Sequence, residues 1–252
     1  MITIRNTALA AALIIAPLAL SNVACAESGH TAHWTYEGHE GPEHWGDLSH
    51  NFGMCKDGMA QSPINISNVT SAALSDIETD YKKTSLDVVN NGHTIQVNYN
   101  NGSTINVDGK TYKLLQFHFH SPSEHHIDGK PADMVAHLVH QADDGQLAVI
   151  GVLINKGANN KTIETIWNNL PSTTGSKKNS AMINVADLLP ADLSYYNYSG
   201  SLTTPPCSEG VNWMVLQNPV MASAGQVAKF TETFARSVRP IQPLNNRTVM
   251  AD

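Results

Sequence analysis

Nowhere does the 252-residue sequence gather lysine and arginine into a run. It therefore lacks the cationic footprint that nucleic-acid binding requires, and no nucleic-acid partner is expected. The charge that is present leans the other way: 15 Lys and Arg against 22 Asp and Glu leave a formal net charge of −7, which bears on solubility and not on function. Long apolar runs are missing too. The longest, residues 8–20, is thirteen residues, short of the roughly 20 that a helix needs to cross a bilayer, so no transmembrane segment is predicted. No Ser/Gly linker, low-complexity tract or internal repeat divides the chain, and 41% hydrophobic with 15% charged residues is ordinary for one globular domain. Cysteine is scarce, at three residues, whereas histidine, the commonest metal ligand, is plentiful at 12.

The short apolar run has another use. Arg5 before it and Ala24-Cys25-Ala26 after it complete the pattern of a secretory signal peptide over residues 1–26, cleaved after Ala26. The mature domain is then residues 27–252, periplasmic or secreted. Acylation at Cys25 would make a lipoprotein, but Asn22-Val23-Ala24 lacks the leucine usual before such a cysteine. Cleavage leaves Cys55 and Cys207. In an oxidising compartment two cysteines suggest one disulfide; a pair of buried free thiols stays open, because sequence does not set the distance between the sulfurs.

Residues 27–60, rich in Gly, His and Asn, predict an irregular N-terminal wrap. From Leu86 onward the pattern is strand and turn. Ile95, Val97 and Tyr99 alternate with polar residues, Asn100-Asn101-Gly102 follows, and 104–107 returns, which predicts a hairpin; Asp108-Gly109 turns the chain again. Leu115, Phe117 and Phe119 alternate with Gln116, His118 and His120, and 136–140 and 147–154 are further apolar strands. Helical signals are few: 226–237 after Ser223 as N-cap, and a weaker one at 162–169. The expected fold is a mainly β (α+β) single domain with short peripheral helices.

Residues two apart on a strand share a face, so His118 and His120 present adjacent imidazoles while Phe117 and Phe119 turn to the core. His137, between Val135 and Val139 on the next predicted strand, could bring a third nitrogen to the same point; a buried hydrogen-bonded histidine is the alternative. Three nitrogen ligands leave the fourth tetrahedral position open for water, which is a catalytic rather than a structural zinc arrangement.

Together Gln116-Phe117-His118-Phe119-His120, Ser123-Glu124-His125, His137-Leu138-Val139-His140 and Ser201-Leu202-Thr203-Thr204-Pro205-Pro206 resemble the α-class carbonic anhydrases. Further motifs match in the same order: Gly41-Pro42-Glu43-His44-Trp45, Gln61-Ser62-Pro63-Ile64, Asn90-Asn91-Gly92-His93, Trp213, and the Arg239-Pro240-Ile241-Gln242-Pro243-Leu244-Asn245-Asn246-Arg247 segment. The resemblance implies a central twisted, mostly antiparallel sheet of about ten strands. It further implies reversible hydration of carbon dioxide to bicarbonate and a proton by a zinc-bound hydroxide, with Zn2+ on His118, His120 and His137. Thr203 and Glu124 resemble the pair that orients that hydroxide, and His93 the proton shuttle. Gln116 resembles a partner of His118, and Tyr36, Asn91 and Thr204 resemble residues of the water network. Val139, Val149, Leu202, Val211 and Trp213 resemble the apolar wall of the substrate pocket, and Cys55 and Cys207 a disulfide common in exported members. Those members are often dimers, so a homodimer is admitted, though no apolar patch in the sequence establishes one.

One position departs from the pattern. The family usually carries a glutamate two residues before the third histidine, where it accepts that histidine's other N–H; here the residue is Val135. His137 must then donate to a backbone carbonyl, a water or another side chain, and Asp133, at even spacing, is the nearest carboxylate. Partners of this kind matter by about 10–100-fold in metal affinity or activity, so weaker, faster-exchanging zinc is expected. Two other functions stay in view, a non-catalytic carbonic-anhydrase-like zinc-binding protein and a zinc carrier. All three histidines with Thr203 and Glu124 argue against the first, and the shuttle and apolar wall against the second.

Overall fold

Strands dominate because β-branched and aromatic residues alternate with polar ones between Asn, Asp and Gly turns. The computed structural model describes residues 32–251; the signal peptide expected over 1–26, its cleavage after Ala26 and the start of the mature chain lie outside them. Nine strands make the frame: β1 (Thr84–Asn90), β2 (Ile95–Asn98), β3 (Thr104–Val107), β4 (Lys110–His120), β5 (Met134–Gln141), β6 (Leu147–Lys156), β7 (Gly175–Ile183), β8 (Tyr195–Ser201) and β9 (Glu209–Leu216). With short edge strands they form one thirteen-stranded sheet, larger than expected, whose central order is β7-β1-β2-β4-β5-β6-β9-β8. It is antiparallel except where β6 and β9 run side by side over 148–151 and at short edge pairings. The last of these is Met250–Ala251, antiparallel to β8 and parallel to Thr70–Ser71.

The hairpin expected around residues 100–102 is not formed. β2 and β3 lie end to end along one edge of β4, the first against Gln116, Phe117 and His118 and the second against Lys110 to Lys113. Bonds from Tyr99 N to Leu115 O and from Leu114 N to Ser103 O carry the ladder between them. The Asn-Gly signal there marks a kink in one long strand. The true hairpin turn is Asp108-Gly109, with φ of 52° and 72°, the positive pair that a type I′ turn demands. Leu115 also departs from expectation: it is 43% exposed, because the β4–β5 pairing slips between Leu114 and Gln116 opposite His140 and Val139. This bulge keeps Leu114 inside and turns Leu115 out.

Both predicted helices exist, as α1 (Lys161–Trp167), capped by Asn160, and α2 (Ala224–Thr233), which opens on a capping box between Ser223 and Gln226. α2 stops short of Ser237 because residues 234–239 turn back onto the end of β4. There Ser237 N donates to Ser121 O, and Arg239 N donates to Glu124 at 2.9 Å.

The two faces of the sheet have different tasks. Phe117, Phe119, Ala136, Leu138, Ile150, Val152 and Met214 point into the larger core, where α1 and α2 add Trp167 and Phe230. Residues between them point the other way and pack Val135, Val139, Val149, Leu153, Val211 and Trp213 with Tyr198 and Ile64. A disulfide joins Cys55 to Cys207, 152 residues apart. The Ser62–Pro63, Ser121–Pro122 and Pro205–Pro206 peptides are cis.

His140 anchors the larger core, fully buried, with Nε2 2.9 Å from Tyr81 Oη. Burial pushes its pKa down to about 4, whereas an unfolded histidine titrates near 6.5. Below about pH 6.5 the unfolded chain binds a proton that folded His140 refuses. The stabilisation is therefore complete above that pH and lost toward pH 4, at about 1.4 kcal/mol per pH unit. In His140→Gln the unfolding free energy, measured by urea titration at a series of pH values, should lose that much slope between pH 6.5 and 4. An unchanged slope would remove His140 as its source.

Candidate metal centre

His118 and His120 lie on β4, and His137 on β5 stands directly opposite His118. One ring nitrogen from each comes within 4.8 Å of the others, the one such group of His, Cys, Asp or Glu found among the described residues. Burial holds His118 and His137 well below the usual histidine range, with His120 beside each adding to the effect. Both are neutral at ordinary pH, the state in which an imidazole offers a lone pair to a metal.

The remaining nitrogens show which lone pairs converge. His118 Nδ1 is bonded to Gln116 Oε1 at 2.9 Å and His120 Nδ1 to the Ser237 carbonyl, leaving Nε2 of each for the centre. Glu124 Oε2 lies 3.6 Å from His120 Nε2 and 3.8 Å from His137 Nδ1, so Nδ1 of His137 is the atom on the shared side and its Nε2 points away. His120 Nε2 is buried with no hydrogen-bond partner. A partnerless buried nitrogen converging with two neutral imidazoles fits zinc, which is four-coordinate and in catalytic sites takes three protein donors with the fourth position left to water. Asp133 does not serve His137. It lies beyond the end of β5, where Oδ1 pairs with Lys156 Nζ at 2.9 Å and Oδ2 accepts from Lys156 N at 2.8 Å.

Beside the histidines, Glu124 and Thr203 are buried. Burial raises the Glu124 carboxyl above the usual range, while His120, the Arg239 N–H and the Thr203 hydroxyl pull it down. Thr203 stands in a tight loop with Thr204, held by Leu202 N to Ser208 O and Cys207 N to Thr204 O bonds and anchored by the disulfide at Cys207. Val139, Val149 and Trp213 are successive cross-strand neighbours on β5, β6 and β9, two residues along from His137. Val211 lies in the same apolar cluster and Leu202 packs against it. Register brings Val139, Val149 and Trp213 together, and packing adds Val211 and Leu202.

A cleft is lined by Tyr36, Asn91, His93, Arg236 and Ser237, the last of which also meets His120 through its carbonyl. Asn91 Oδ1 accepts from His93 N and Thr94 N at 2.9 Å each, fixing the turn that carries His93. The His93 ring stacks on Trp34, 3.7 Å between centroids and 9° between planes, with Tyr36 edge-on at 6.4 Å. The Tyr36 hydroxyl is buried without a partner, and burial raises its pKa well above the tyrosine norm. Burial, and secondarily His33, lowers the pKa of His93.

Three contributors escaped the sequence reading. Trp34 sits alone in an aperiodic segment. Ser237 acts through its backbone carbonyl, which no side-chain motif encodes. Arg239 lies within a recognised motif, but nothing in that motif says that its N–H meets Glu124.

The family model described as eukaryotic-type carbonic anhydrase matches residues 40–252. A carbonic anhydrase of Neisseria gonorrhoeae is 46% identical over 244 residues, 96% of either chain. Another, of Nostoc sp., is 45% identical over 227 residues, 87% of this chain and 86% of that one. Among solved structures, a hyperthermostable carbonic anhydrase from an active hydrothermal vent chimney aligns with a TM-score of 0.85 at 50% identity, over 87% of this chain and 99% of the other.

Stacking on Trp34 helps keep water from His93. In Trp34→Ala the His93 ring should titrate closer to the ordinary histidine value near 6.5, followed by the NMR shift of its ring protons, and His33→Ala should move it the same way by less. An unmoved titration in Trp34→Ala would show that the indole is not what desolvates the ring.

Proposed function

The chain belongs to the eukaryotic-type, or α, carbonic anhydrase family and catalyses the reversible hydration of carbon dioxide to bicarbonate and a proton; from that premise we propose that it works through a zinc ion on His118, His120 and His137. The observation that carries this assignment is the convergence of their ring nitrogens within 4.8 Å, with the second nitrogens of His118 and His120 already committed to Gln116 and Ser237. When bound, zinc supplies a Lewis acid that lets a coordinated water ionise near neutral pH, an effect long established for carbonic anhydrases as a class.

Every other role belongs to the chain. Gln116 Oε1 and the Ser237 carbonyl hold protons on the Nδ1 atoms of His118 and His120, so that Nε2 of each is a lone-pair donor. Glu124 takes the Thr203 hydroxyl proton as a hydrogen bond, which turns the Thr203 oxygen into an acceptor for whatever stands at the centre. Carbon dioxide has no dipole and is held by dispersion against Val139, Val149, Leu202, Val211 and Trp213, which also exclude water. A ring nitrogen of His93, at the mouth of the cleft, takes the product proton and releases it to buffer, with Tyr36, Asn91 and Thr204 ordering the water between. The Cys55–Cys207 disulfide and the N-terminal signal pattern support an exported enzyme, since such bonds persist in oxidising compartments.

Stopped-flow hydration assays on the mature chain, with metal content determined in parallel, test the assignment. One zinc per chain is expected, with activity lost on chelation and regained in proportion on re-addition, and His120→Ala should bind none. Stoichiometric zinc in His120→Ala would refute the ligand set. His93→Ala should lower kcat, by about 100-fold at the low end of the range for general acid–base catalysis, while leaving kcat/KM little changed and responding to imidazole buffer. Unchanged kcat would remove His93 from proton transfer.

A further inference from the structure

Two neighbouring buried imidazoles each have a ring nitrogen without a hydrogen-bond partner: Nε2 of His137 and Nδ1 of His125. Their rings lie 6.1 Å apart at 75°, and both pack against Trp213, at 4.9 and 4.6 Å. The same cluster holds the fully buried Val135, which shares the His137 face two residues away and offers no polar atom. Burial makes unpaired polar groups expensive, so the two nitrogens must be reconciled with one another.

The chain from Ser62 through Tyr198 to His125 can run in either direction, and one of the two gives the His137 N–H an acceptor. On the ligand set proposed above, His137 presents Nδ1 to the metal, so its Nε2 carries hydrogen and is a donor. His125 is neutral and has a single N–H. Its Nε2 lies 2.6 Å from Tyr198 Oη, which lies 2.7 Å from Ser62 Oγ, where Ser201 N also donates at 3.0 Å. If Tyr198 donated to His125, the His125 hydrogen would sit on Nδ1, and two donors would confront each other beside Val135. If His125 donates from Nε2 to Tyr198, and Tyr198 to Ser62, then Nδ1 of His125 is a lone pair facing the His137 N–H.

We propose that His125, in the Nε2–H tautomer, is the positioning residue that accepts the His137 Nε2–H in place of a carboxylate at position 135. The two nitrogens are not within hydrogen-bonding distance, so one water accepts from His137 and donates to His125. In the opposite tautomer both rings would donate to that water, and no chain would run from His137 to Tyr198. His137 is then oriented by a neutral chain, His137 to water to His125 to Tyr198 to Ser62, instead of by an anion. A neutral acceptor raises a ligand's basicity less than a carboxylate does, so this chain holds its metal with faster release.

Long-range nitrogen–proton NMR on the zinc-loaded native chain reads the tautomer directly. The His125 proton is expected on Nε2; a proton on Nδ1 overturns the inference. Val135→Glu, which supplies a carboxylate able to accept from both rings, should move that proton to Nδ1 and slow zinc release to a chelator by about 10–100-fold. An unchanged release rate in a folded, zinc-loaded Val135→Glu also overturns it. A native chain that binds no zinc would instead sink the ligand assignment itself, so the two failures are told apart.

Discussion

In an antiparallel pair a slip of one residue turns every side chain to the opposite face, and the buried apolar residues on both faces of β5 forbid such a slip and hold His137 opposite His118. Everything at the centre follows from that register. His120 and Val135 face each other two residues away in one direction, and Gln116 and Val139 two residues away in the other. β6 and β9 extend the second row to Val149 and Trp213. The three histidines and the apolar residues Val139, Val149 and Trp213 are thus adjacent rows of one sheet, placed by backbone hydrogen bonds. The Leu115 bulge lies just outside this segment, so the irregularity of β4 falls where it does not disturb the histidines.

The outer supports come from far along the chain. Ser237 and Arg239 present backbone groups to His120 and Glu124 because α2 ends early and its continuation folds back. Arg239 is itself fixed, with Nη1 on Gln61 Oε1 at 2.8 Å and the Ser62 carbonyl at 2.9 Å and its guanidinium 5.8 Å from the Trp45 ring. Burial lowers its pKa to about 10, and Glu124 opposes that shift. A buried cation and a buried carboxyl thus sit within one hydrogen-bonded frame, which keeps each from standing alone in an apolar setting.

Legibility in the sequence tracked locality. The His-x-His pair, the strand carrying His137 and the start of α2 at Ser223 depend on neighbours within a few residues, and all were readable. Residues 100–102 were misread because an Asn-Gly signal specifies a local bend, not which strand receives the returning chain; β4 was long enough to take both halves. Leu115 was misassigned because strict alternation cannot register a bulge set by the partner strand. Trp34 and Ser237 were invisible for a related reason, since one gains its role from a stacking partner 59 residues away in sequence and the other from a carbonyl. The Val135 substitution was visible in sequence, but its complement, a second orphaned imidazole, required the three-dimensional arrangement.

The edge pairing of Met250–Ala251 with β8 and Thr70–Ser71 bears on the order of events as the polypeptide is made. The strip at 70–71 is made 180 residues before its partner at 250–251. Loop-closure entropy of that span must be met before the pairing is rewarded. Until residues 250–251 are available the sheet keeps an open edge at 70–71, so the closing of this side is a late step in folding.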